Sequence, residues 1–481
     1  MKLKSLYIGA LALASVSLTS CSDWFDVSAK TDVKAEELFE TPEGFESALA
    51  GIYTSMTDED SYGHDLSFGL MDQLAQLYDR IPDGTTDREA IYQYDQESDG
   101  YNTKSRLAAI WLKSYNLISN TNNFLKWLDA NGTRVLRDEQ TRNLYYGEAY
   151  ALRAYLHFDL LRGWGPMDYQ SSKSNLSIPY RVAADNSKQP RLSAETVVEK
   201  VVADLKQAES YLVSDKNTSL SDNERRFRLN YYAVKALEAR VYCYAGDAEN
   251  AISCAEEVIN HCGLVLQTSN SNDPAQLSET LFGINKYKMS DNLSSYFAEG
   301  PSFTTQYWTS LSNYKRIFEA EGNERDADIR ARRGAGFYVY DGASRVISRK
   351  YLKNDDGVIP LIRLPEMYYI LCEMSSLGDA PRYINIVRNR RGISNSNAYV
   401  NFASDAERTE ALSKEYRKEF YAEGQYFYFL KHHGIMNLDY SHDIETDGTV
   451  RMTEQRYVFP LPDREKEYGW TGEESNNTSN D

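Results

Sequence analysis

The segment YYAVKALEARVYCYAGDAENAISCAEEVI, Tyr231–Ile259, decides how the rest of this chain is read. Two runs with apolar residues at three- and four-residue spacings flank Gly246-Asp247, which predicts two helices joined by a tight turn. Ala239, Tyr242, Ala251, Ala255 and Val258 stand where a tetratricopeptide unit sets its small and bulky packing residues, with Ala255 in place of the usual aromatic. Such a unit spans ~34 residues, and its small side chains let two antiparallel helices approach closely. One unit cannot bury both of its faces, so neighbouring helix pairs must stack on it.

Outward from this unit, Leu364–Arg390 around Gly378-Asp379 reads as a degraded second copy, and Leu107–Leu128 with Gly147–Arg162 as a third. Gly147–Gly163 carries Ala149, Leu152, Leu156, Leu160 and Leu161 as one apolar stripe, ended by Gly163-Trp164-Gly165-Pro166. Ala194–Leu212 and Ala406–Leu430 show similar faces, so the chain is mainly α. Leu264–Arg349 differs: Gly, Asn, Ser and aromatic residues alternate, with strand-like pieces at Phe337–Tyr340 and Arg345–Ser348 around Asp341-Gly342. Such a long insertion on a rigid scaffold is where a binding surface is expected.

At the other end, Met1–Ser20 reads as a lipoprotein signal peptide. Lys2 and Lys4 precede an apolar run, Leu6–Val16, and Leu18-Thr19-Ser20 places small residues before Cys21. The run is shorter than the ~20 residues of a membrane span. Cys21 is therefore the expected lipidation site, and acylation on both thiol and amino group would anchor the mature chain stably. Residues 471–481 are polar and expected to fray.

The formal charge is −18, and −20 once Lys2 and Lys4 are gone. With no basic block, nucleic acid is excluded as a natural partner. Tyrosine is in excess, 37 against 17 Phe and 6 Trp, and its ring joins an apolar face to a polar rim. Cys243, Cys254, Cys262 and Cys372 lack C-x-x-C spacing and read as small core residues, with a Cys243–Cys254 bridge as the alternative.

The residue patterns of catalysis are missing from the sequence. There is no H-E-x-x-H helix, no G-x-S-x-G elbow and no phosphate-cradling glycine loop. Carboxylate pairs at glycosidase separation must occur by chance among 71 acidic residues, so they select nothing. His432-His433 precedes Gly434 at a helix end, which suits the helix dipole, and the flanking chain offers no third metal ligand. Asp443, Glu445 and Asp447-Gly448 match no twelve-residue calcium loop, and a hairpin turn explains the glycine. No metal, cofactor or catalytic residue is expected.

Several blocks, taken in order, resemble the SusD/RagB family of Bacteroidetes outer-membrane lipoproteins. They are Cys21–Asp26, Leu38–Phe45 and Ala48–Tyr53; Trp111–Asn123; Gly147–Ala154 with Phe158, Leu161 and Trp164-Gly165-Pro166; Ile362–Tyr368 and Ile384–Gly392; and Phe459-Pro460-Leu461-Pro462. Tyr426 and Phe429 depart from the family, which more often has Arg and Asp there. The resemblance implies one SusD-like domain over residues 21–470, with a body of tetratricopeptide-like helix pairs and a ligand-binding insertion at about 264–349. It also implies a SusC-like TonB-dependent barrel that the protein caps, and a surface-exposed place on the outer membrane, where it captures oligosaccharides and hands them to the barrel.

Oligosaccharide recognition needs flat aromatic faces ringed by hydrogen-bonding side chains. Two stretches supply them and are also favoured by the resemblance. Asp58–Tyr101 offers Asp72, Tyr78, Arg80 and Tyr92, and Tyr296–Tyr314 offers Tyr296, Tyr307 and Trp308. The alternatives are a receptor for oligopeptides, whose cationic members the acidic chain would attract, and an adhesin without a barrel partner.

Overall fold

The computed structural model describes residues 36–79, 91–92, 94, 96, 102–220, 224–289, 293, 296–297, 299, 307–319, 328–340, 345–351, 357–395, 398–438 and 450–468. Cys21, Arg80, the Asp341-Gly342 turn, the acidic run at Asp443–Asp447 and the C-terminal tail lie outside them.

The scaffold is a row of helices. We label the main ones α1 (Pro42–Ser55), α2 (Asn102–Val135), α3 (Glu139–Trp164), α4 (Ala194–Tyr211), α5 (Tyr231–Ala245), α6 (Ala248–His261), α7 (Leu364–Met374), α8 (Ala380–Arg390), α9 (Asp405–Glu419) and α10 (Tyr426–His432). From α2 to α8 each helix packs on the next, as expected for stacked repeat units, and α1 lies against α2. In the central pair, the Asn230 side chain caps α5 by accepting from Ala233 N, and Asp247 caps α6 by accepting from Asn250 N. Between them Gly246 takes φ +73°, the left-handed conformation that a helix C-terminus favours and that L side chains resist. Ala239, Ala251 and Ala255 are wholly buried, so the small residues do sit where the two helices meet.

The insertion leaves the stack after α6 and returns at α7. Its ends are zipped by strand β1 (Thr280–Asn285), antiparallel to β5 (Val358–Arg363). Within it, β2 (Trp308–Ser310), β3 (Phe337–Tyr340) and β4 (Arg345–Ser348) form a sheet in the order β2-β4-β3, so both strand-like pieces are strands with the expected bounds.

One expectation is corrected, and one alternative gives way to the expected reading of the cysteines as small core residues. Ala406–Leu430 is not one continuous helix, because it breaks between α9 and α10. Ala422 and Gly424 there have φ +62° and +73°, and a Cβ on Gly424 would lie 2.6 Å from the carbonyl oxygens of Leu66 and Ser67. The chain must turn at this point to pass the first loop region. The alternative Cys243–Cys254 bridge is not formed: all four described cysteines are free and buried, and Cys254 Sγ donates to Glu238 at 3.4 Å.

Candidate functional site

The two stretches chosen from the sequence come together, and Asp79 makes several of the bonds between them. Its backbone N–H donates to Trp308 O at 2.9 Å, while its carboxylate accepts from Thr309 Oγ1 (3.1 Å), Ser310 N (2.9 Å) and Asn313 Nδ2 (3.0 Å). Tyr92 closes the same corner by donating its hydroxyl to Asp79 O at 3.3 Å. Nothing in the sequence distinguished Asp79 from the other acidic residues near it.

Register then places an aromatic row on one face of the three-stranded sheet. Trp308 and Tyr338 both pair with Ile347, and Ser310 and Tyr340 both pair with Arg345, so these six side chains share a face. Thr309, Val346 and Phe337 on the opposite face are buried, as are Ile347 and Arg345 on the central strand of this one. Trp308, Tyr338 and Tyr340 are half-buried. The Arg345 guanidinium lies 4.3 Å from the Trp308 ring centroid, and Arg349 lies 5.7 Å from that of Tyr338. Burial lowers the Arg345 pKa from its ordinary value. Tyr338 and Tyr340 were legible: the alternation Phe337-Tyr338-Val339-Tyr340 sends both tyrosines to one side of a strand.

Beside this face runs a second aromatic group. The Tyr307 ring stacks on Tyr78 at 4.6 Å and on Tyr296 at 5.6 Å, and Tyr296 stacks on His64 at 4.5 Å. His64 bridges Asp65 and the Tyr307 hydroxyl, at 2.8 Å each, and Arg106 Nε donates to Asp65 at 3.2 Å. Only Tyr296 in the stack is half-exposed, and burial pushes its pKa up to about 12.

Asp72 and Tyr78 are buried in the core and do not line the exposed face. Asp72 is wholly buried and accepts from Gly424 N at 3.0 Å, and Tyr78 donates to Phe68 O at 2.9 Å. Burial raises both pKa values, which favours their neutral forms. The reason is the short helix Leu70–Leu74, which turns the whole segment into the core. Tyr307 is also buried, whereas Tyr92, Tyr296 and Trp308 remain half-exposed.

Two family profiles match consecutive parts of the chain. One, SusD-like_3, described as "Starch-binding associating with outer membrane", matches residues 23–243, and the other, SusD_RagB, described as "SusD family", matches residues 269–466. The chain belongs to the SusD/RagB family. It is similar to SusD-like protein P38 of Formosa agariphila, 22% identical over 96% of each chain. It is also similar to SusD-like protein P2 of the same organism, 25% identical over 56% of this chain and 50% of that one, so this match spans about half of the relative's length. In fold it matches a SusD-like carbohydrate binding protein of Bacteroides vulgatus, with a TM-score of 0.69 at 17% identity over 89% of this chain and 96% of the other.

Two of the blocks that carried the resemblance to SusD/RagB supply residues to buried ion pairs: Arg363 and Glu366 from one, Arg391 from the other. Arg240 grips Glu366 through two bonds of 2.6 and 2.7 Å. Arg363 and Arg391, both inaccessible to solvent, meet on Glu419, at 2.8 and 2.6 Å, and Arg391 also reaches Glu279 at 2.7 Å. Arg330, from the insertion, binds Glu415 at 2.7 Å. These contacts lock the insertion to α7, α8 and α9 and so fix the aromatic sheet in place.

Proposed function

We propose that this SusD-like protein is a non-catalytic receptor that captures oligosaccharides and passes them to a SusC-like TonB-dependent barrel. It would be held at the outer-membrane surface by a lipid on Cys21. The observation that carries this reading is the aromatic face of Trp308, Tyr338 and Tyr340 with Arg345 among them. Flat rings suit the C–H faces of sugars, and an array fixed by a sheet needs little reordering on binding. The family description as starch-binding and outer-membrane associated supports the ligand class and the location, as does the carbohydrate-binding name of the B. vulgatus neighbour.

Capture is tested by electrophoresis of the purified chain through native gels with and without dissolved polysaccharides. Retardation by at least one glycan is expected, and free migration in a broad panel contradicts the reading. Delivery is tested separately by purifying the protein from solubilised outer membranes, where a β-barrel partner should follow it.

A further inference from the structure

His432 and His433 stand at the end of α10, and the fold brings a third candidate ligand to them from α7. Glu373 Oε1 lies 3.4 Å from His433 Nε2 and 3.9 Å from His432 Nε2. One ligand atom from each of the three residues lies within 4.8 Å of the others. Bonds of ~2.1 Å to nitrogen and oxygen would set two ligand atoms about 3.4 Å apart around a tetrahedral ion, so small rotations suffice to close the site. His432 Nδ1 is buried without a hydrogen-bond partner among the described residues. The three residues line a cavity of about 60 Å³, enough for an ion with its remaining water.

We propose that Glu373, His432 and His433 bind a divalent transition-metal ion, zinc foremost, that ties the end of α10 to α7. Two imidazoles and one carboxylate select this class, since calcium and magnesium ask for six or more oxygen ligands. The Cys243 thiol on α5 lines the same cavity as Glu373. Arg162 and Arg240 line the same cavity, but Asp159 and Glu366 already neutralise them.

The test uses the full chain, stripped with a chelator and titrated with zinc chloride by calorimetry, with cobalt(II) absorption as a second readout. The expected result is one saturable zinc site per chain, a visible cobalt band, and a thermal midpoint that rises with zinc. His433→Ala and Glu373→Gln should each weaken zinc by at least about 100-fold, the upper end of what even a second-shell loss costs. Should His433→Ala fail to fold, His433→Gln with the cobalt spectrum of the unaltered chain decides. Absence of saturable zinc uptake by the unaltered chain, or uptake unchanged in both Glu373→Gln and a folded His433 variant, overturns the proposal.

Discussion

Arg345 on β4 lies across the face of Trp308 on β2, its guanidinium carbon 4.3 Å from the ring centroid. The pairing sets a planar cation against an aromatic wall, with Tyr338 and Tyr340 farther along the same side of the sheet. A sugar resting there would meet the half-buried rings, with the buried Arg345 guanidinium behind them.

Trp308→Ala should therefore lower glycan affinity at least about tenfold, the equivalent of ~1.4 kcal/mol. Tyr338→Ala should act in the same direction. Circular dichroism should remain that of the parent, because both rings are half-buried and lie at the edge of the core.

Asp79→Ala should weaken glycan binding without removing any aromatic ring. It leaves Thr309, Ser310 and Asn313 without their shared acceptor, so β2 loses its tie to the segment before it. Calorimetry should show reduced affinity and thermal unfolding a lower midpoint. An affinity equal to the parent's would mean that the two stretches bind independently.

Glu419→Ala should destabilise the fold by about 3–5 kcal/mol, because Arg363 and Arg391 would lose the buried carboxylate they share and keep only Glu279 and Glu423 against their charges. Denaturant unfolding measures this directly. Gly424→Ala should cost about 1–3 kcal/mol from the backbone conformation alone, with a further loss from the 2.6 Å approach to Leu66 O and Ser67 O.

Acid should destabilise the protein in two overlapping ranges. His157 is wholly buried, with Nδ1 on Arg153 O at 2.8 Å and Nε2 accepting from Arg181 N at 3.0 Å, and burial lowers its pKa from 6.5 to about 3. The unfolded chain thus binds this proton first, and stability falls as pH drops from about 6.5. The arginines around Glu415 and Glu419 hold both carboxylates well below their ordinary 4.5, despite burial. Their contribution is complete above that value and is lost as pH falls below it. Thermal midpoints should decline gently from pH 7 to 5 and steeply below about 4.5. A midpoint unchanged down to pH 4 contradicts the neutral His157.

The helix pairs were legible because small residues and turn signals recur at helical spacing, as in Ala239, Ala251 and Gly246-Asp247. The strands at Phe337–Tyr340 and Arg345–Ser348 were legible for the same local reason. The site was only half so. Asp72 and Tyr78 carry the residue types of a sugar site, and only the turn of Leu70–Leu74 into the core shows that they serve packing. Asp79, and the meeting of Glu373 with His433, depend on contacts across 231 and 60 residues of sequence, which no local pattern encodes.

The most direct test of the central claim is calorimetric titration of the chain with plant, host and microbial glycans and with a protein digest, at low and high salt. A saturable glycan isotherm that salt does not move, and that Trp308→Ala weakens, is the predicted result. Binding only to the digest, falling as salt screens the acidic surface, would contradict it and favour an oligopeptide receptor.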